Sequence, residues 1–120
     1  MKKPDIFELH AAFCGTLSNA TRLKILALLS DHEWSVSEMA EIIGVSPSNL
    51  SQHLAILSAH HLVVARKQAR TVFYSLADRR LTQACSLIRA VLLDQMKMRG
   101  ELAQESISEG MKFKGGRYGT

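Results

Sequence analysis

Residues 35–57 read Ser35-Val36-Ser37-Glu38-Met39-Ala40-Glu41-Ile42-Ile43-Gly44-Val45-Ser46-Pro47-Ser48-Asn49-Leu50-Ser51-Gln52-His53-Leu54-Ala55-Ile56-Leu57, and their punctuation decides the fold. Ser35 stands three residues before Glu38, the spacing at which a cap hydroxyl accepts from the backbone N–H of residue 38 while the carboxylate reaches back to that of residue 35. A short helix over 36–43 follows, with Met39, Ile42 and Ile43 expected to face inward. Gly44 stands where a left-handed residue ends a helix. Ser46-Pro47 opens the next helix, which runs to about 59. Serine is a preferred cap, and proline suits a first turn because its missing donor would lack a helical partner there anyway. Two short helices joined by the turn at 44–46 make a helix-turn-helix over residues 35–59.

On a helical wheel, Leu50, Leu54 and Leu57 share the side that anchors this second helix. Ser48, Ser51, Gln52 and Ala55 share the opposite side, which is small, polar and uncharged. Such a face can approach closely into a major groove: glutamine pairs with adenine, and serine bonds to bases or phosphates. The helix start also offers backbone donors to a phosphate. Taken alone, an ordinary solvated helix shows the same face. His53 lies toward the apolar edge, where a hydrogen bond at the core boundary competes with a base contact.

Upstream, Ile6, Leu9, Phe13 and Leu17 recur at helical spacing after Pro4-Asp5, so a first helix is expected over 5–17. Ser18-Asn19 breaks it and offers a cap to a second, over 20–29, apolar around most of its circumference and so buried. Downstream, Leu62-Val63-Val64 and residues 71–76 read as two strands joined by a polar tip at 67–70 that lacks glycine. Asp78 is the expected cap of a last helix over 79–99. The predicted fold class is mainly α with a β-hairpin wing: four helices, a hairpin and a fifth helix. Residues 1–99 are expected to form one winged helix-turn-helix domain for DNA binding and dimerisation, and residues 100–120, rich in glycine and basic residues, are expected to be a flexible C-terminal tail.

The charge distribution points the same way. Residues 42–77 hold none of the 11 Asp and Glu but three of the 15 Lys and Arg: Arg66, Lys67 and Arg70, all on the hairpin. A surface that meets phosphates should exclude carboxylates, and these cations suit the DNA backbone or the neighbouring minor groove. The apolar fraction of 47% supports one core, and aromatics at 6% favour packed helices over a strand sandwich. Cys14 and Cys85 make no disulfide framework. The apolar run Ile25-Leu26-Ala27-Leu28-Leu29 is far too short to span a bilayer, so neither signal peptide nor anchor is expected and a cytoplasmic setting is the default. A Gly-rich phosphate loop, HExxH and an oriented nucleophile–base pair are all missing, so no enzyme is expected.

Leu17-Ser18-Asn19-Ala20-Thr21-Arg22-Leu23-Lys24-Ile25-Leu26 and the 46–57 segment resemble the signature of the ArsR/SmtB family of bacterial repressors. The wing segment, Arg66 through Tyr74, resembles the thiol-responsive branch of that family, the HlyU and BigR proteins. The resemblance covers about residues 7–93. It implies a homodimer through the first and fifth helices, binding to double-stranded operator DNA of imperfect palindromic form, and repression relieved by an effector. The family's DNA contacts would fall on Ser48, Asn49, Ser51, Gln52 and the wing cations Arg66, Lys67 and Arg70; Ser46 and His53 of the 46–57 segment join them as candidate DNA-binding residues. A winged-helix module that binds protein instead of DNA is the competing class.

The family's familiar sensors are not matched. Asp78-Arg79-Arg80 lacks the histidine of the zinc site on the last helix, 36–40 lacks the paired cysteines of the third-helix site, and the thiol-switch positions hold Ala27 and Leu93. Cys14, Cys85 and His10 remain. His10 and Cys14 stand four apart on the first helix and could give two ligands to a thiophilic metal or metalloid ion. With Cys85 the two thiols could form a redox switch. Equally, both cysteines could be small structural hydrophobes. His32, His60 and His61 read as loop residues.

Overall fold

Each helix begins at a side-chain cap supplied by its own sequence, except the last. The computed structural model describes residues 2–100, so the tail expected at 100–120 lies, from residue 101 on, outside the described residues. Helix α1 (Ile6–Leu17) starts at Asp5, whose carboxylate accepts from the Glu8 N–H at 2.7 Å while Glu8 accepts from the Asp5 N–H at 2.9 Å. Asn19 caps α2 (Ala20–Leu28), accepting from the Arg22 N–H at 3.1 Å. Ser35 and Glu38 form the expected reciprocal box at the head of α3 (Val36–Ile43). Gly44 ends it at φ +84°, and the N–H groups of Gly44 and Val45 both return to the Ala40 carbonyl. Ser46 caps α4 (Pro47–Ala59), with proline in the first turn.

The core sits where α2, α3 and α4 meet. Ile25, Leu26, Leu28, Met39, Leu50, Leu54 and Leu57 are each under 2% exposed. Burial of each such side chain is worth roughly 1.5–3 kcal/mol, so α4 is held by its leucine stripe. Ile42 departs from expectation: it is 42% exposed, and Ala40 is buried beside Met39 instead. An eight-residue helix presents a narrow inner stripe, and the 36–43 helix fills it with those two.

Among the described residues three strands form, not the two expected. Trp34–Ser35 is β1, preceding α3, and it pairs antiparallel with β3 (Thr71–Leu76), which pairs in turn with β2 (Val63–Gln68). The element order is therefore α1-α2-β1-α3-α4-β2-β3-α5. A two-residue strand carries no periodicity of its own, and its hydrogen bonds come from a partner almost forty residues away. The hairpin is also longer than expected: β2 reaches Gln68, opposite Thr71, and leaves Ala69-Arg70 as the loop. Ala69 takes φ +56°, so alanine occupies the left-handed first loop position that a two-residue hairpin turn of type II′ demands.

The passage from α4 into β2 is a complete Schellman turn. The His61 N–H donates to the Ser58 carbonyl at 3.0 Å and the Leu62 N–H to the Leu57 carbonyl at 2.9 Å, with His61 at φ +61°. Leu57 and Leu62, at the two ends of the turn, are both buried.

A second unit begins at Asp78 and contains α5 (Arg80–Met98). Asp78 is not its N-cap residue: Arg79 stands there in helical conformation, without a side-chain cap bond. The Asp78 carboxylate still accepts from the Arg80 N–H at 2.9 Å and pairs with the Arg80 guanidinium at 2.7 Å. Arg80 thereby holds the Asp78 carboxyl down to about 2, from an ordinary 3.8.

Candidate nucleic-acid interface

The outward face of α4 is open. Ser46, Ser48, Asn49, Ser51, Gln52 and Ala55 are all exposed, while Leu50, Leu54 and Leu57 on the opposite side are fully buried. The wheel deduced from sequence is thus the one the fold adopts. Ser46 has a prior commitment, since its hydroxyl oxygen accepts from the Asn49 N–H at 3.0 Å. The Leu50 N–H donates to the Ser46 carbonyl at 3.0 Å and Pro47 has no N–H, so the first turn keeps the Ser48 N–H for an incoming acceptor.

His53 is half-buried and engaged. Its Nδ1 accepts from Arg22 Nε at 3.2 Å, and Arg22 Nη1 donates to the Thr16 carbonyl at 2.7 Å. The neutral imidazole therefore carries its proton on Nε2. Of the two roles open to His53, the hydrogen bond at the core boundary is the one present here. Sequence gave no sign of Arg22: a contact between residues 22 and 53 follows only from α2 packing on α4.

The wing cations divide. Lys67 and Arg70 are exposed, and among the described residues neither has an ion-pair partner. Arg66 is occupied. Its Nε donates to Glu33 Oε2 at 3.1 Å, its Nη2 pairs with Glu33 Oε1, and its Nη1 donates to Gln68 Oε1 at 2.8 Å. Its guanidinium lies 4.8 Å from the Phe73 ring centroid. Hydrogen bonds from Arg66 hold the Glu33 carboxyl below its ordinary range, so it is ionised beside the guanidinium. Glu33 lies outside the acid-free stretch 42–77, which is why the charge map along the chain missed it; pairing of β1 with β3 brings it across the sheet. The loop that carries it is fixed by the Trp34 indole N–H, which donates to the Leu28 carbonyl at 3.0 Å, and by His32 stacked on Trp34 at 4.8 Å.

The thiols differ in access. Cys14 is exposed on α1, as is His10 one turn before it, and Cys85 on α5 is buried. Among the described residues no group of three or more His, Cys, Asp or Glu could hold a metal ion. No helix among them is long and apolar enough to cross a membrane.

A family model described as "Bacterial regulatory protein, arsR family" matches residues 19–63, from the cap of α2 to the first residue of β2. The HTH-type transcriptional regulator Rv0081 of Mycobacterium tuberculosis is 33% identical over 93 residues, 77% of this chain and 82% of that one. The chain belongs to the ArsR family. The Rv0081 crystal structure shares its fold with a TM-score of 0.71 at 32% identity, over 81% of this chain and 98% of that one. The transcriptional activator HlyU of Vibrio cholerae serotype O1 is 48% identical over 62 residues, 52% of this chain and 57% of HlyU. A homodimeric winged helix-turn-helix DNA-binding domain from Mycobacterium bovis, solved in solution, matches with a TM-score of 0.63 at 26% identity, over 77% of this chain and 90% of that one. This ArsR-family chain spans about three fifths of the length of curated relatives such as HlyU. The winged helix-turn-helix expected from its caps and turns is the architecture of these relatives.

Proposed function

We propose that the protein is a transcriptional regulator that binds operator DNA as a homodimer, with α4 of each protomer in the major groove and the hairpin tip against the flanking backbone. One observation carries this reading: an exposed, uncharged polar face on α4 (Ser48, Asn49, Ser51, Gln52) backed by three fully buried leucines. A helix so anchored can enter a groove without rearranging. The small hydroxyls allow close approach, and Gln52 supplies the paired donor and acceptor that adenine matches. Lys67 and Arg70 add contacts to phosphate. Exposed apolar side chains on α1 (Ile6, Phe7, Leu9) and on α5 (Leu87, Ile88, Val91, Leu92) support two protomers joined through those helices. Such a dimer presents two reading helices to an imperfect palindrome.

The regulatory input of this reading is relief of repression through the Cys14 thiol, which is exposed beside His10. Cys85, being buried, fits a structural role better.

The test is fluorescence anisotropy with DNA from upstream of the protein's own gene, titrated across salt concentrations. Binding by two protomers per site, with log affinity falling linearly and steeply against log salt, is the expected result. Absence of binding, or binding indifferent to salt, refutes the DNA reading in favour of a protein-binding winged helix. Release of the DNA by a thiol-directed oxidant in wild type but not in Cys14→Ser tests the input; equal release from both variants removes Cys14 from it.

A further inference from the structure

Arg66 is the most heavily engaged cation of the wing. Both oxygens of Glu33 take hydrogen bonds from two of its nitrogens, Gln68 takes one from the third, and Phe73 lies under the guanidinium plane. Cross-strand register sets this up: Arg66 stands opposite Phe73, which stands opposite Ser35, and Glu33 lies just before that pair on the chain. The acid and the cation therefore face each other across the middle strand, on a sheet surface that also carries Gln68. Three of the five guanidinium N–H donors are thus taken, its Nε–Nη2 fork is filled by a planar carboxylate and its charge is neutralised there, so an arriving phosphate must compete with Glu33 for Arg66.

We propose that Glu33 withholds Arg66 from DNA phosphate, so that each wing grips the backbone with Lys67 and Arg70 and Glu33 sets the strength of that grip. This deepens the DNA-binding reading above and rests on it. Glu33 is a positioning residue: it acts on DNA only through Arg66. The pair is open to solvent, with side chains 48% and 39% exposed, so the carboxylate competes with a phosphate in water and not from within a core. An affinity held down in this way favours a regulator that must let go of its site.

The experiment is a double-mutant cycle on the full chain, with anisotropy on a duplex from upstream of the gene at several salt concentrations. Glu33→Gln is expected to tighten binding about tenfold at low salt and to steepen the log–log salt slope by up to about 1.8 per dimer, as two released guanidinium groups meet phosphates. Arg66→Gln alone is expected to leave the slope within about 0.3 of wild type, whereas in the Glu33→Gln background it abolishes the gain. A merely structural role for the pair would move melting temperature and leave the salt slope alone. The proposal is overturned if Arg66→Gln alone flattens the slope as much as Arg70→Gln does, since Arg66 would then already touch DNA. Unchanged affinity and slope in Glu33→Gln overturn it equally. A wild-type protein without salt-dependent binding removes the DNA reading itself, and the proposal with it.

Discussion

His61→Gly should stabilise the protein, although it deletes a whole imidazole. His61 holds φ +61° as the left-handed residue of the turn between α4 and β2, its side chain exposed. A residue with a Cβ pays about 1–2 kcal/mol in that region. Glycine escapes that cost but gives back about 0.5–1 kcal/mol in unfolded-chain entropy. The difference leaves His61→Gly ahead by roughly 0.5–1 kcal/mol, because both hydrogen bonds of the turn use backbone atoms and survive the change. In urea, with a slope of about 2 kcal/mol per molar, the midpoint should rise by about 0.3–0.5 M at constant slope. Protein concentration must be fixed, because a dimer's midpoint depends on it. His61→Val provides the opposite sign: a β-branched side chain is least tolerant of positive φ, so its midpoint should fall below wild type. A midpoint lowered by glycine, or left untouched by valine, would refute the assignment of strain to this residue.

Other expectations concern the wing, the reading helix and α5. Lys67→Gln and Arg70→Gln should each flatten the salt slope by about 1.8 per dimer, so that either deficit in affinity shrinks roughly tenfold between about 50 and about 200 mM salt; unchanged slopes would place both side chains off the DNA. Gln52→Ala should relax base preference at one position of each half-site, by about 1–3 kcal/mol in a competition assay, with the salt slope kept; a uniform loss over all sequences would make Gln52 a backbone contact. Asp78 titrates at about 2 because Arg80 favours its charged form, so its contribution to holding the start of α5 is complete above the ordinary 3.8 and is lost as pH falls toward 2. Arg80→Ala removes the guanidinium but keeps the residue 80 N–H bond, so it should move the Asp78 carboxyl midpoint only part of the way back toward the ordinary value in an NMR acid titration, and a midpoint still near 2 would assign the shift to the backbone bond alone.

Local chemistry was legible in the sequence and distant pairing was not. Asn19, Ser35 with Glu38, Gly44 and Ser46-Pro47 bound their helices to the residue, because a cap and the turn it closes are neighbours in the chain. The polar face of α4 followed from the same logic, since three leucines at helical spacing leave one side for solvent. Partners went unseen where they are remote or the signal is short. Strand β1 exists through β3, Arg66 is claimed by an acid on a different element, and His53 is claimed by Arg22 from α2. Ile42 shows the limit of apolar character as a guide to burial in a helix this short. At α5, Asp78 served the helix start from one residue farther out than expected.

The short passage from Ala59 to Val63 has a mechanical consequence. Two crossed backbone bonds and a pair of buried leucines clamp the exit of the reading helix directly to the root of the hairpin, with no slack between them. Helix and hairpin must therefore swing as one lever. If the protein binds DNA as proposed, a releasing signal could not lift the tip while leaving the helix seated, so release should be a single step in which groove and backbone contacts vanish together.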